Sequence, residues 1–137
     1  MPARMDDAEL VAIASRLTGR FSPSPDVIAG GVAAALRSTS GKVYTGICVD
    51  TSCSLGFCAE HAAIAEMLKA RESAIHTIVA VNGNRGITAP CGRCRELMWQ
   101  LDPANANTRI LLGPDRVATL RELLPDPWRN EQGGPPA

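Results

Sequence analysis

The feature that most constrains the fold is the run IHTIVAV (75–81), in which β-branched and other apolar residues follow one another almost without interruption. A strand of this composition is buried on both faces, because a strand with one face in water alternates apolar and polar residues. Helical patterns precede and follow it, over 57–71 and 91–101. The sequence therefore predicts an α/β fold, a three-layer α/β/α sandwich with a mixed sheet of about five strands.

The other predicted elements agree with this architecture. They are an amphipathic helix over 6–17, a hairpin of strands over 27–36 and 42–49, and a strand over 108–113. Two Pro-rich stretches are predicted to be a loop (21–26) and a short helix with an irregular exit (118–128). Residues 1–128 are predicted to form one domain, and 129–137 a flexible C-terminal tail.

The bulk composition excludes several classes of function. The 137 residues include 14 basic and 14 acidic side chains, so the formal net charge is zero and no basic patch favours binding to nucleic acid. No apolar run approaches the roughly 20 residues that span a membrane, and the N-terminal segment has no apolar signal-peptide core. We therefore expect a cytoplasmic protein with neither nucleic-acid nor membrane partners.

The number of cysteines points to metal binding or reactive thiols. There are five of them, Cys48, Cys53, Cys58, Cys91 and Cys94. An odd number in a chain without a signal peptide argues against a disulfide framework.

Three of these cysteines lie at the starts of predicted helices. Cys58 opens the 57–71 helix, and Cys91 and Cys94 lie three positions apart at the start of the next one. Residues three apart on a helical turn share a face, and a helix N-terminus favours the thiolate form. Three thiolates from two helix starts make a zinc site with an open fourth position.

A carboxylate accompanies the three thiols. A water molecule in the open position on zinc has its pKa lowered from 15.7 toward ~7, and it still needs a proton acceptor. Glu60, two residues after Cys58, can reach such a water without being a ligand. Cys-x-Glu followed by Pro-Cys-x-x-Cys, with Pro90 in place, is the three-cysteine form of the zinc deaminase motif.

On these motifs the chain resembles the cytidine deaminase superfamily, in its short tetrameric branch. The stretch GICVDTSCSLGFCAEHAA (46–63) matches that branch without gaps. The second half is more similar still to blasticidin S deaminase, through NRGITAPCGRCRELMWQLDP (84–103) and RELLP (121–125). The resemblance implies a cytidine deaminase-like fold, Zn²⁺ and no organic cofactor, and a homotetramer.

The resemblance also implies the reaction and its residues. A free cytosine nucleoside or analogue would be deaminated hydrolytically, with release of ammonia. Glu60 would carry protons between the water, the ring and the leaving amine, and the Ala59 backbone would hold the base. The zinc ligands would be the three helix-start cysteines, Cys58, Cys91 and Cys94.

The surroundings of the thiolates depart from the family pattern. Many cytidine deaminases carry an arginine directly after Cys-Ala-Glu, and here that place holds His61. We expect Arg93 or Arg95 to support the thiolates instead. His61 is predicted to be a surface or packing residue of the helix and not a metal ligand.

The sugar-binding positions depart as well. An Asn-x-Glu pair that usually binds the ribose is matched here by Cys48 and Asp50. An unpaired buried hydroxyl costs about 1–3 kcal/mol, so the substrate is left open among cytidine, a nucleoside such as blasticidin S, and another amino-substituted ring. Asn84 is a further candidate substrate contact because it follows a strand, although turn chemistry explains it equally well.

A non-catalytic alternative is a protein with a closed structural zinc site. Cys53 would be its fourth ligand, at a plausible spacing from Cys58, but Glu60 would then have no purpose. Otherwise Cys53 is predicted to be a packed core cysteine, and Cys48 either a packed thiol or a residue that lines the pocket.

Overall fold

The structure, a computed structural model, describes residues 5–128, so the predicted tail at 129–137 lies outside the described residues. The longer helices are α1 (Met5–Leu17), α2 (Ala59–Lys69) and α3 (Gly92–Leu101), followed by a 3-10 helix (Pro103–Asn107) and a short α4 (Leu120–Leu123). The strands are β1 (Phe21–Ser24), β2 (Val27–Ser38), β3 (Val43–Thr51), β4 (Ile75–Asn82), β5 (Gly86–Thr88), β6 (Arg109–Gly113) and β7 (Arg116–Thr119).

These seven strands form one mixed sheet. Strand β2 pairs with β1, β3 and β4, while β4 also pairs with β5 and β6, and β6 with β7. The β4–β6 pair is parallel and the other pairs are antiparallel. The mixed α/β class predicted from the sequence is confirmed.

The predicted number of about five strands is wrong. The additional strands β1, β5 and β7 have four, three and four residues, so they are too short to show an alternating pattern. Strand β1 lies in the stretch predicted to be a Pro/Ser-rich loop, and all four of its residues are exposed. Main-chain pairing with β2, and not side-chain burial, makes it a strand.

Apolar residues cover both faces of the sheet, as a three-layer arrangement requires. Leu36, Ile78 and Ile110 pack on one face with Ile64 and Met67 of α2. Neighbouring positions on the same strands point the other way and pack with α1 in a second cluster, which consists of Leu10, Ala14, Ala35, Val79, Val81, Leu111 and Val117. The alternation follows from the period of two in a strand. The predicted three layers are therefore confirmed.

A buried ion pair fastens α1 to the sheet. The Arg109 guanidinium, at the start of β6, donates to both carboxylate oxygens of Asp7 at 2.7 and 2.8 Å. The two side chains are only 6% and 7% exposed, and Arg109 also donates to Thr77 Oγ1 at 3.1 Å. Such a pair costs desolvation energy on both sides, so its loss on one side leaves a buried charge without compensation.

The start of α2 lies unusually close to β3. A methyl group added at Gly46 would stand 2.4 Å from the backbone nitrogen of Ala63 and 2.7 Å from the carbonyl oxygen of Ala59. Only glycine allows this approach, because any Cβ would overlap the helix backbone. The small residues of α2, Ala59 and Ala63, are fully buried against the sheet for the same reason.

The strand directions bring the starts of α2 and α3 to one edge of the sheet. Strands β3 and β4 are both antiparallel to β2, so they run the same way and end at the same edge. Helix α2 follows β3 along the chain, and α3 follows β4 and β5. Two helix N-termini therefore meet there.

Among residues 5–128, no helix combines the length and apolar character that crossing a bilayer requires.

Candidate metal centre and active-site cavity

A closed loop after β3 positions Cys58. The backbone groups of Val49 and Phe57 exchange two hydrogen bonds of 3.0 and 2.9 Å, which close the intervening residues into a loop. Gly56 allows the closure, because a Cβ at that position would lie 2.4 Å from the carbonyl oxygen of Val49. Cys58 comes directly after this bridge as the N-cap of α2.

A second anchor positions Cys91 and Cys94. Cys91 is the N-cap of α3, and Cys94 lies in its first turn and is fully buried. The Arg95 guanidinium donates to the carbonyl oxygen of Pro90 at 2.9 Å and to that of Leu123 at 3.0 Å. Arg95 therefore ties the residue before Cys91 to the end of α4.

The structure brings the three sulfurs of Cys58, Cys91 and Cys94 together. The Sγ atoms of Cys58 and Cys91 are 3.5 Å apart, as are those of Cys91 and Cys94. All three sulfurs lie within 4.8 Å of one another, and they form the metal-compatible group found among the described residues. Sulfurs on one tetrahedral zinc, with bonds of about 2.3 Å, lie about 3.8 Å apart. The donor set and its spacing therefore fit a zinc ion.

The three thiols differ in their electrostatic surroundings. Burial raises the pKa of Cys94, and the nearby Glu60 carboxylate raises it further. Burial also raises the pKa of Cys58. At Cys91 burial acts in the same direction, but hydrogen bonds from the backbone of Cys94, from the thiols of Cys58 and Cys94 and from the backbone of Arg93 together outweigh it, so its pKa lies below the ordinary value. A cation between the sulfurs would offset the cost of the buried thiolates.

Glu60 places a carboxyl group in the same pocket. It lies in the first turn of α2 and is 5% exposed. Burial raises the pKa of this carboxyl, since the charged form loses hydration. Glu60 is not among the grouped metal ligands, as its predicted role requires. A carboxyl with a raised pKa can both accept and return a proton near neutral pH.

Cys58, Cys91 and Glu60 line one cavity of about 370 Å³, and the fully buried Cys94 sulfur lies next to that of Cys91 without lining the cavity. Cys48, Asp50 and Ala59 line it, together with Arg93. Cys48 is buried and accepts a hydrogen bond of 3.3 Å from the backbone N–H of Val32. It is thus both a packed thiol and a pocket residue, while the exposed Asp50 lies at the rim.

Five further lining residues were not predicted as site residues: Val32, Gly56, Phe57, Thr88 and Ala89. Gly56 and Phe57 directly precede Cys58, and Thr88 and Ala89 directly precede Pro90. Proximity to the motifs was thus a signal for four of them. Val32 carried no signal, because only the pairing of β2 with β3 and β4 brings it to the cavity.

Several residues with predicted roles lie elsewhere. Cys53 is exposed, contacts Thr51 and is outside the three-sulfur group, so the prediction of a packed core cysteine is wrong. Asn84 is exposed in the turn between β4 and β5, where its backbone N–H bonds Asn82 Oδ1, and it does not line the cavity. Of the two arginines expected to support the thiolates, Arg95 contacts two carbonyl oxygens and not a sulfur, while Arg93 lines the cavity.

His61 lies closer to the sulfurs than the sequence indicated. Its Nδ1 atom is 3.5 Å from Cys94 Sγ, and the side chain is half-buried. Burial, together with the charge of Arg93, lowers the pKa of His61. His61 is not a member of the metal-compatible group of three cysteines.

The fold and the site together define the class of the protein: a mixed α/β protein in which two helix N-termini place three cysteines and a buried glutamate at one cavity. No protein-family model matches the chain.

Individual known proteins do match. The cytidine deaminase of Mycobacterium tuberculosis (strain H37Rv) is 31% identical over 97 residues, which are 69% of this chain and 70% of that protein. The cytidine deaminase of Halalkalibacterium halodurans is 31% identical over 103 residues, or 73% of this chain and 78% of that protein. The chain therefore belongs to the cytidine deaminase family.

Solved structures show the same relationship. The crystal structure of cytidine deaminase from M. tuberculosis superimposes with a TM-score of 0.75 at 28% identity, covering 91% of this chain and 98% of that one. Cytidine deaminase from Burkholderia pseudomallei gives a TM-score of 0.70 at 30% identity, covering 88% and 98%.

Proposed function

We propose that the chain is a zinc-dependent aminohydrolase that removes the amino group of a free cytosine nucleoside or analogue and releases ammonia. The observation that carries the proposal is the cluster of three sulfurs, two of which line the same cavity as the buried Glu60 carboxyl. Membership of the cytidine deaminase family supports the reaction class. Cys58, Cys91 and Cys94 would hold the zinc ion. When bound, that ion supplies a Lewis acid that makes a water molecule more acidic.

Glu60 would perform the proton transfers of the reaction. Its carboxylate accepts a proton from the attacking water and returns protons to the ring nitrogen and the leaving amine. The new carbon–oxygen bond replaces the carbon–nitrogen bond, so water and the amine become a ring carbonyl and ammonia. The raised pKa of Glu60 suits both steps, because a carboxyl that is too acidic would not return the proton.

The walls of the cavity would hold and orient the ring. Ala59 offers its backbone next to Glu60, and Phe57 and Val32 supply apolar surface. A volume of about 370 Å³ lies in the range of small-molecule sites. The burial of Glu60 also limits the access of bulk water to its carboxyl group.

The part of the cavity lined by Cys48 and Asp50 offers no side-chain amide to bind a ribose, so it favours a substrate that does not need this contact. Cys48 already accepts the Val32 N–H and offers only a weak donor, and the Asp50 carboxylate accepts hydrogen bonds at the rim. The candidates are cytidine, a blasticidin S-like cytosine nucleoside and another amino-substituted base. The local likeness of 84–103 and 121–125 to blasticidin S deaminase supports the second of them.

The proposal includes the three-cysteine branch of the family and assembly as a homotetramer. Asn84 and Arg85 are exposed and lie outside the cavity of their own chain, so in an assembly they can reach the site of a neighbouring subunit. The closed structural zinc site is the weaker alternative, because Cys53 lies outside the sulfur group.

Substitution of Glu60 tests the proposal. Ammonia release and bound zinc would be measured for the wild type and Glu60→Gln over cytidine, deoxycytidine, cytosine, blasticidin S and guanine. We expect Glu60→Gln to keep its zinc and to lose about 10²- to 10⁴-fold in turnover, the usual contribution of a general acid–base group.

Glu66→Gln is the matched control, since it removes the same charge from the same helix at a position outside the cavity. It should behave as the wild type. A wild-type protein that binds zinc but releases ammonia from none of these compounds would refute the proposal, as would full activity of Glu60→Gln.

A further inference from the structure

The buried sulfur of Cys94 contacts His61, which stands at the position where many cytidine deaminases carry an arginine. His61 Nδ1 lies 3.5 Å from Cys94 Sγ, within reach of a hydrogen bond to sulfur. The two residues occupy the third helical positions of α2 and α3, respectively. Their contact therefore joins the two helix starts that carry the zinc ligands.

The other candidates for this contact are engaged or placed elsewhere. The Arg95 guanidinium is bonded to the carbonyl oxygens of Pro90 and Leu123. Arg93 lines the cavity, and its guanidinium makes no hydrogen bond to a sulfur within residues 5–128. In that part of the chain, apart from the three cysteines themselves, the side chain within hydrogen-bond distance of one of the three sulfurs is that of His61.

Cys94 needs such a donor more than Cys91 does. Cys91 is the N-cap of α3 and is exposed, whereas Cys94 lies in the first turn of the helix and is fully buried, out of reach of water. Three thiolates around one dication carry an excess negative charge, and a hydrogen bond to a buried thiolate disperses part of it.

Resting on the zinc site of the proposed function, we infer that His61 donates its Nδ1–H to the Cys94 thiolate and so acts as a positioning residue for the metal centre. It does not bind the metal itself. The contact requires a hydrogen on Nδ1, which is present both in the imidazolium form and in one of the two neutral tautomers. Nδ1 protonation is thus a direct consequence of the inference.

The first test measures zinc affinity by competition with a chelator, without reference to turnover. His61→Leu removes the donor at similar size, and we expect about a 10-fold loss of zinc affinity, as is usual when a hydrogen-bond partner of a metal ligand is removed. His61→Asn keeps an N–H near the position of Nδ1, and it should restore most of the affinity.

His76→Leu is the matched control. His76 is the other histidine of the chain, and it is exposed on β4 with its Nδ1 bonded to Thr77 Oγ1. Its replacement should leave zinc affinity unchanged. The inference fails if His61→Leu binds zinc as tightly as the wild type, or if His76→Leu loses as much.

A second test uses the wild-type protein and so does not depend on the folding of a variant. Nitrogen NMR of the two histidine rings in the zinc-loaded protein should show a proton on Nδ1 of His61. A bare Nδ1, or a His61 nitrogen bound to the metal, would overturn the inference. A protein that binds zinc with this tautomer but releases no ammonia would remove only the proposed function.

Discussion

Replacing Gly46 by alanine probes the close approach of α2 to β3, on which the site depends. The added methyl group would stand 2.4 Å from the nitrogen of Ala63, 2.5 Å from Cβ of Ala62 and 2.7 Å from the carbonyl oxygen of Ala59. Ordinary contact begins at 3.4 Å, so the first turns of α2 must move by about 1 Å.

The expected cost follows from the kind of atoms that must move. Overpacking of a core typically costs about 1–3 kcal/mol, and two of the three neighbours here are helix backbone atoms that no change of rotamer can relieve. Alanine regains up to about 1 kcal/mol over glycine within a strand. With the cost at the upper end of that range, we expect a net loss of about 2 kcal/mol, or roughly 8 °C in Tm for a chain of this length.

Urea and thermal unfolding at one fixed protein concentration would measure this loss. Gly83→Ala is the control, because the nearest atom to its added methyl group is a Thr18 side-chain carbon at 3.5 Å. Since α2 carries Glu60, the displacement should also reduce turnover about 100-fold. A Gly46→Ala protein whose stability lies within about 0.5 kcal/mol of the control would refute the close approach.

Two predictions concern other polar contacts of the core. Tyr44 is the only tyrosine, and its hydroxyl donates to Glu72, which together with burial raises its pKa from 10.0 to about 12. Phenolate absorbance should therefore appear near pH 12 in the folded protein and at lower pH in Glu72→Gln. Because the pKa of Tyr44 is higher in the folded state than in the unfolded state, the stabilisation by its contact with Glu72 is present below about pH 10 and is lost toward pH 12. Titration of Tyr44 near pH 10 in the folded wild type would contradict this prediction. Asp7→Ala should cost about 3–5 kcal/mol in urea unfolding by leaving the Arg109 charge buried, whereas a cost below about 1 kcal/mol would show that water reaches the guanidinium.

The elements predicted correctly are those with a long periodic or apolar pattern. Helices α1, α2 and α3 and strands β2, β3, β4 and β6 lie within a few residues of their predicted positions. Each buries a face wide enough to leave a pattern in the sequence. The strands that were missed, β1, β5 and β7, have only three or four residues, and each forms by main-chain pairing with the strand next to it in the chain, which leaves no side-chain pattern in the sequence.

The residues of the site also fall into those that a local pattern predicts and those that only the fold brings together. Cys58, Glu60, Cys91 and Cys94 belong to local motifs at helix starts, where spacing alone indicates the chemistry. Val32 belongs to no motif, and His61 directly follows Cys-Ala-Glu but was predicted to be a surface or packing residue. They reach the cavity and the sulfurs through sheet pairing and helix placement, which are long-range consequences of the whole fold.

The sequence by itself determined the α/β class, the three candidate ligands and the carboxyl group beside them, because these rest on spacing within one or two turns of helix. Only the tertiary structure decided which side chain lies beside the sulfur of Cys94. That contact joins residues 33 positions apart, and it exists because β3 and β4 run the same way and the helices that follow them start at the same end of these strands. Arg93 or Arg95 was expected beside the sulfurs. Arg95 contacts two carbonyl oxygens, whereas His61, which was expected to be a surface or packing residue, lies next to Cys94.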